Sequence, residues 1–309
     1  MDRRQIIPKE LRYTFLQFEK DFPTDDACLE QIKEQRFPGG VSVCRKCERP
    51  RKHYRVTGRT AYACESCGNH IYPLAGTIFE KTSTSLRIWF HAMYLMGSTR
   101  CGISAKQIQR ETGVTYKTAW RMFHQIRKLM AEDLRLGGSG SSGVELDEMY
   151  HGGRRKNEAG RMLLGNKGKN TMVLGVVERK GRIVARATGD KSLATTNALV
   201  KEYVLPETVI FTDESPTYHQ LPRLGYEHKR VNHSAKVYVA GDVHTNTIEG
   251  FWSLVKRGIG GVYHSVSAKY LQSYLDEYSF RYNRRDSGNL IFPAMLARVS
   301  ELASSKLSE

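Results

Sequence analysis

The sequence predicts an α+β chain of several domains, and three observations predict it. Two Cys-x-x-Cys pairs fall within the first quarter of the 309 residues. Two helix-patterned stretches then flank a Thr-Gly-Val turn at 112–114. Beyond the run Gly-Gly-Ser-Gly-Ser-Ser-Gly (137–143) the pattern changes to short strands mixed with helices.

The cysteines come first. Cys44 and Cys47 are separated from Cys64 and Cys67 by sixteen residues, so two tight turns can deliver four thiolates to the corners of a tetrahedral Zn²⁺. Gly68 follows the second turn, where a left-handed residue is wanted, and the intervening stretch reads as a hairpin turning at Thr57-Gly58. This is the pattern of a zinc ribbon. Cys28 and Cys101 have no such partners and are expected in the core. Before the ribbon, TDDACLEQIKEQRFPGG has an acidic first turn, helix formers and a Pro-Gly stop. After it, STSLRIWFHAMYLMGS reads as a Ser-capped helix whose apolar stripe belongs to a core.

The stretch GISAKQIQRETGVTYKTAWRMFHQIRKLM predicts a helix-turn-helix. Ser104 and Thr115 are the caps, Thr112-Gly113-Val114 is the turn, and Ile108, Val114, Trp120 and Phe123 close a small core. The second helix of such a pair enters the DNA major groove through its N-terminal residues, which makes Thr115, Lys117 and Arg121 the candidate DNA contacts. Charge agrees: the chain carries +16, of which +10 falls in residues 1–136. Charge alone does not choose between a polyanionic partner and a basic surface without one. Eight Lys/Arg against three Asp/Glu between Arg100 and Arg135 favour DNA.

The Gly/Ser run has the composition of a flexible linker. Beyond it VELDEMY reads as a strand, TMVLGVVERKGRIVARATG as a hairpin turning at Lys180-Gly181, and SLATTNALVKEYV as a helix opened by Ser192. TVIFTDES is a buried strand ending at Asp213. Order and pattern suit a mixed sheet with flanking helices. The predicted domains are therefore 1–82 (helix and ribbon), 83–136 (helix-turn-helix), 137–143 (linker) and 144–309 (mixed-sheet domain).

Asp147 lies in the first of these strands and Asp213 at the tip of a later one, so neighbouring strand ends can bring two carboxylates together. Without a cation they repel; hard oxygen ligands on rigid strands suit Mg²⁺ or Mn²⁺. In DVHTNTIEGFWSLVKRGI, Asn246, Glu249 and Lys256 share one helical face while Phe251, Trp252, Leu254 and Val255 cover much of the rest. Glu249 is the first choice for a third metal ligand, Asn246 the alternative, and Lys256 a phosphate- or water-orienting cation. Arg154, Arg155, Lys156, Lys167 and Lys169 form a basic insertion after the first strand, and His233 and His244 lie near the helix.

These segments together resemble the DDE-type insertion-sequence transposases, in particular the group with an N-terminal zinc ribbon and an ISXO-type catalytic domain, related to Merlin elements. The resemblance is carried by FPTDDACLEQI, the double Cys-x-x-Cys, LDEMYHGG, VIFTDES and the long block from Val243 to Arg285, and it covers most of the chain. It implies a ribonuclease-H-like catalytic fold that cuts and joins DNA with divalent metal, Asp147 and Asp213 as the first two ligands, and a third that varies between Glu and Asn. It implies Lys256 as the basic residue after the third ligand. Glu148, on the opposite strand face from Asp147, is not expected to ligate. The implied partner is double-stranded DNA, element ends and target, with a homo-oligomer assembled on it.

No apolar run approaches a membrane span and MDRRQIIPKE is not of signal-peptide type, so a cytoplasmic, nucleoid-associated protein is expected. Three other readings remain: a non-catalytic DNA-binding regulator, a decayed transposase, and a nuclease that hydrolyses without joining.

Overall fold

A computed structural model describes residues 8, 10, 12–152, 171–179, 181–190, 192–230 and 245–305. The chain divides into two compact units, Met1–Leu129 together with Ser287–Glu309, and Met130–Asp286.

In the first unit, helices α1 (Phe15–Asp21) and α2 (Asp25–Arg36) precede a four-stranded antiparallel ribbon. Its strands are β1 (Val41–Cys44), β2 (Arg49–Arg55), β3 (Tyr62–Cys64) and β4 (His70–Ile71). Helices α3 (Leu86–Ser98), α4 (Ala105–Thr112) and α5 (Tyr116–Lys128) follow. Thr24 accepts a hydrogen bond from the Ala27 N–H at 3.2 Å and caps α2. Ser85 precedes α3 but does not cap it. Its hydroxyl donates to Asp25, and the same carboxylate oxygen accepts the Arg87 N–H at 2.9 Å, so α2 supplies the cap of α3. Of the two isolated cysteines, Cys28 is in the core as expected; Cys101 is exposed, because it lies in the α3–α4 connection rather than on a helix face.

The last helix, α9 (Ile291–Ser305), groups with this unit rather than with the sheet domain where the sequence boundary put it. The reason is aromatic: Phe292 lies 5.3–5.9 Å, between ring centroids, from Tyr13, Phe18 and Phe22. Gly97 of α3 lets it approach, since a Cβ there would lie 2.9 Å from the Phe292 nitrogen.

The second unit is built on a five-stranded sheet in the order β7-β6-β5-β8-β9. The strands are β5 (Val144–His151), β6 (Thr171–Glu178), β7 (Ile183–Thr188), β8 (Val209–Thr212) and β9 (Glu227–Arg230). β5, β6 and β7 run antiparallel as sequential neighbours, whereas β5–β8 and β8–β9 are parallel. Helix α6 (Leu193–Tyr203) makes the crossover to β8, opened by Ser192, whose hydroxyl accepts the Thr195 N–H. Its core with the sheet comprises Val144, Leu146, Leu174, Val176, Val184, Val200 and Ile210. On the opposite face α7 (Asn246–Gly258), a π-turn (Ile259–Tyr263) and α8 (Ala268–Asn283) pack over Met149, Val173, Val177, Ile183 and Ala185. A mixed sheet covered on both faces is consistent with the expected ribonuclease-H-like domain.

Residues 137–143 are not a free linker. They lie inside the second unit, where Leu136 pairs with Val204 and the Gly137 and Gly138 N–H groups donate to Glu178 and Thr208. Gly143 has φ +85°, and a Cβ there would lie 2.6 Å from the Phe211 ring and 2.7 Å from the Val209 carbonyl. At Gly137, where a Cβ would lie 2.4 Å from Thr208, and at Gly143 the missing side chain serves close approach.

Candidate functional site

The four ribbon cysteines converge. Their sulfur atoms all lie within 4.8 Å of one another, with Cys44–Cys67 at 3.5 Å and Cys47–Cys64 at 4.0 Å. A tetrahedral zinc thiolate site, with Zn–S near 2.3 Å, needs sulfurs about 3.8 Å apart, so the set fits structural zinc. The Cys47 and Lys46 N–H groups stabilise a thiolate at Cys44, holding its pKa down at about 6. Gly68, at φ +70°, takes the left-handed turn after the second pair.

The helix pair forms as its punctuation predicts. Ser104 accepts the Gln107 N–H and Thr115 the Thr118 N–H, both at 3.2 Å, and Gly113 sits left-handed at φ +72° between them. Ile108 and Phe123 are buried, whereas Val114 and Trp120 are only half-buried. Thr115, Lys117 and Arg121 are all exposed along the start of α5, and the Arg121 guanidinium also lies over the Trp89 ring at 5.7 Å.

Asp147 lies on β5, the central strand of the sheet. Glu145 and Phe211 are register partners in the parallel β5–β8 pair. Asp213 follows directly on the end of β8, the neighbouring strand, and its charge acts on Asp147. Asp147 is half-buried, and burial, together with the charges of Glu148 and Asp213, raises its carboxyl to about 6; hydrogen bonds from the Glu148 N–H and Trp252 oppose the rise. Asp213 accepts the Ser215 N–H at 2.9 Å, which turns the chain away from the strand end.

Helix α7 forms the facing wall. Its buried residues are Ile248, Phe251, Trp252, Val255 and Gly258, leaving Asn246, Glu249, Ser253 and Lys256 exposed. A cleft of about 450 Å³ is lined by Asp147, Glu148, Glu249, Trp252, Ser253, Lys256 and Arg257. Asn246 begins the helix and is not among the lining residues. Asp147, Glu249 and Lys256 thus share one cleft. Among the described residues, however, the four cysteines are the only group of three or more potential ligands within 4.8 Å of one another, so the three carboxylates stand wider than that. Glu148 points to the other sheet face, as expected, and accepts a hydrogen bond from the buried Tyr218 hydroxyl.

Three residues of this site carry no motif. The Trp252 indole N–H donates to Asp147 at 3.0 Å. It can lie flat on the sheet because Gly175, the register partner of Asp147, has no side chain; a Cβ there would fall 2.5 Å from the indole. Glu145, fully buried two residues before Asp147, holds the first turn of α7. A carboxylate at i−2 of a strand aspartate was the available signal, since both must share a face. Further along, Arg281 forms a buried pair with Glu277, Asn283 bonds to both backbone groups of Ile183, and Arg284 pairs with Glu132. Arg154, Arg155, Lys156, Lys167, Lys169, Lys180, His233 and His244 lie outside the described residues.

Residues 136–283 match the ISXO2-like transposase domain, and residues 23–70 match the transposase zinc-ribbon domain. Over these segments the chain is similar to the ISXO2-like transposases. A relative described as an uncharacterized protein in transposable element ISH50 of Halobacterium salinarum is 28% identical over 284 residues, 85% of this chain and 92% of its own. An uncharacterized transposase-like protein of Haemophilus influenzae is 27% identical over 93 residues, 30% of this chain and 74% of that one. The acidic cleft lies wholly within the segment that matches the transposase domain, and all four cysteines lie within the segment that matches the ribbon. Among the described residues no helix is long and apolar enough to cross a membrane.

Proposed function

We propose that this chain is a DNA transposase that cuts at element ends and joins the freed 3′ ends to target DNA. Similarity to the transposase domain and its zinc ribbon supports a DNA substrate. The observation that carries the catalytic reading is the half-buried Asp147, under the charge of Asp213 and sharing one cleft with Glu249 and Lys256. Burial and neighbouring acids already make ionisation of Asp147 unfavourable, which is the situation a divalent cation relieves. Oxygen donors alone suit Mg²⁺ or Mn²⁺, with Asp147, Asp213 and Glu249 as holders and Asn246 as the alternative third. Bound there, such a cation would stabilise charge on the attacking and leaving oxygens of a phosphodiester.

The chain's own residues do the rest. Trp252 fixes the orientation of Asp147. Lys256, exposed on the opposite wall, can take a phosphate oxygen and hold the scissile strand in the cleft. The helix-turn-helix, through Thr115, Lys117 and Arg121, contributes DNA affinity, and the zinc ribbon is a structural element. A homo-oligomer on DNA would bring two element ends together.

The test incubates purified protein with DNA carrying the sequences on either side of its gene, in Mg²⁺ or Mn²⁺, beside Asp147→Asn. Asparagine keeps an acceptor for Trp252 while removing the charge. The expected result is nicking and joining by the parent and a loss of roughly a hundredfold or more in the variant. Equal cutting by both proteins would sink the assignment.

A further inference from the structure

The first turn of α7 has an unusual anchor. Its N-cap residue, Thr245, makes no side-chain cap; the hydroxyl donates instead to Glu249 at 3.2 Å. The free N–H groups of Thr247 and Ile248 donate to Glu145, at 2.9 and 3.1 Å, and the Thr247 hydroxyl donates to the same carboxylate at 2.9 Å. Glu145 is fully buried in β5, with Arg179 at 3.3 Å, and the Arg179 guanidinium stacks 3.6 Å above the Phe211 ring. A buried carboxylate from the sheet thus replaces the missing cap and ties the helix to the strand that bears Asp147.

The tie has consequences for the cleft. Glu145 and Asp147 are two residues apart on one strand face, while Ile248, held through its N–H, directly precedes Glu249. One turn later Trp252 donates to Asp147. The two attachments are separated by roughly 7 Å of helix rise, which fixes both the axial position and the rotation of α7. Apolar packing alone allows small slides; directional hydrogen bonds to a buried charge do not.

We propose that Glu145 is a positioning residue that sets the separation of Asp147 and Glu249 across the cleft and thereby the affinity of the site for a divalent cation. This rests on the reading of Asp147 and Glu249 as metal ligands. It predicts that loosening Glu145 weakens cation binding in a protein that is still folded.

The experiment titrates the full-length zinc-loaded chain with Mn²⁺ and follows thermal stabilisation and Mn²⁺ electron spin resonance, without DNA. Parent, Glu145→Gln, Thr247→Val and Asp147→Asn are compared, with far-UV circular dichroism as the fold control. Glu145→Gln is expected to raise the half-saturating Mn²⁺ about tenfold or more with an unchanged spectrum. Thr247→Val, which removes only the hydroxyl contact, is expected to raise it about threefold, and it decides the matter if Glu145→Gln does not fold. A folded Glu145→Gln, or failing that a folded Thr247→Val, that binds Mn²⁺ like the parent overturns the positioning role alone. A parent whose Mn²⁺ response is unchanged in Asp147→Asn overturns the metal-site reading and this inference with it.

Discussion

At Asp147 the sign of the pH dependence follows from the direction of its shift. Burial first, then neighbouring acids, raise the carboxyl from an ordinary 3.8 to about 6. Below pH 3.8 the group is protonated in both folded and unfolded chains and contributes nothing. As pH climbs towards 6 the unfolded chain releases its proton first, so native stability falls; above 6 the loss is complete, at most about 3 kcal/mol. In buffer free of divalent cations, Asp147→Asn is therefore expected to be the more stable protein at pH 8 and equal to the parent near pH 3.5. Urea denaturation at both values measures this, and parallel pH curves for the two proteins would exclude it. Asp147 was legible in the sequence as an acid on a strand, because alternation alone assigns it a face. Gly175 and Trp252 were not, since their role depends on a cross-strand register that no local pattern encodes.

Helix punctuation is where sequence and structure agree best. Ser104, Gly113 and Thr115 act within three or four residues of their partners, so chemistry local to the chain determines them. Ser85 shows the limit: the residue type was right, but Asp25, sixty residues away, holds the helix end instead. The Gly/Ser run fails for a related reason. Composition cannot distinguish a glycine that lets a loop move from one that lets Phe211 approach. For the helix-turn-helix the expectation concerns α5. Lys117→Ala and Arg121→Ala are each expected to lower DNA affinity and to reduce the slope of log affinity against log salt by about 1 if each meets a phosphate. Fluorescence anisotropy over a salt series reads the slope; an unchanged slope in both variants would remove α5 from the interface. Arg121 also stacks on Trp89, so its variant is expected to lose some stability that Lys117→Ala keeps.

Across the molecule, the chain leaves its first compact unit at residue 129 and returns to it at 287. Sequence pattern could mark the change from helices to strands, but not the return, because α9 looks like any amphipathic helix that closes a sheet domain. What assigns it is the Phe292 ring, 2% exposed among Tyr13, Phe18, Phe22, Phe90 and Tyr94. Truncating a buried phenylalanine typically costs 3–5 kcal/mol, a large share of one domain's stability. Phe292→Ala is therefore expected to lower the unfolding midpoint of the unit that holds the zinc ribbon and helix-turn-helix. The Asp147-dependent response to Mn²⁺ should stay where it is, since no residue of that cleft belongs to the Phe292 cluster. Urea unfolding followed by DNA-binding competence and by Mn²⁺ response gives two readouts on one sample. A shift in the Mn²⁺ half-point with DNA binding intact would place α9 with the sheet domain and undo the division.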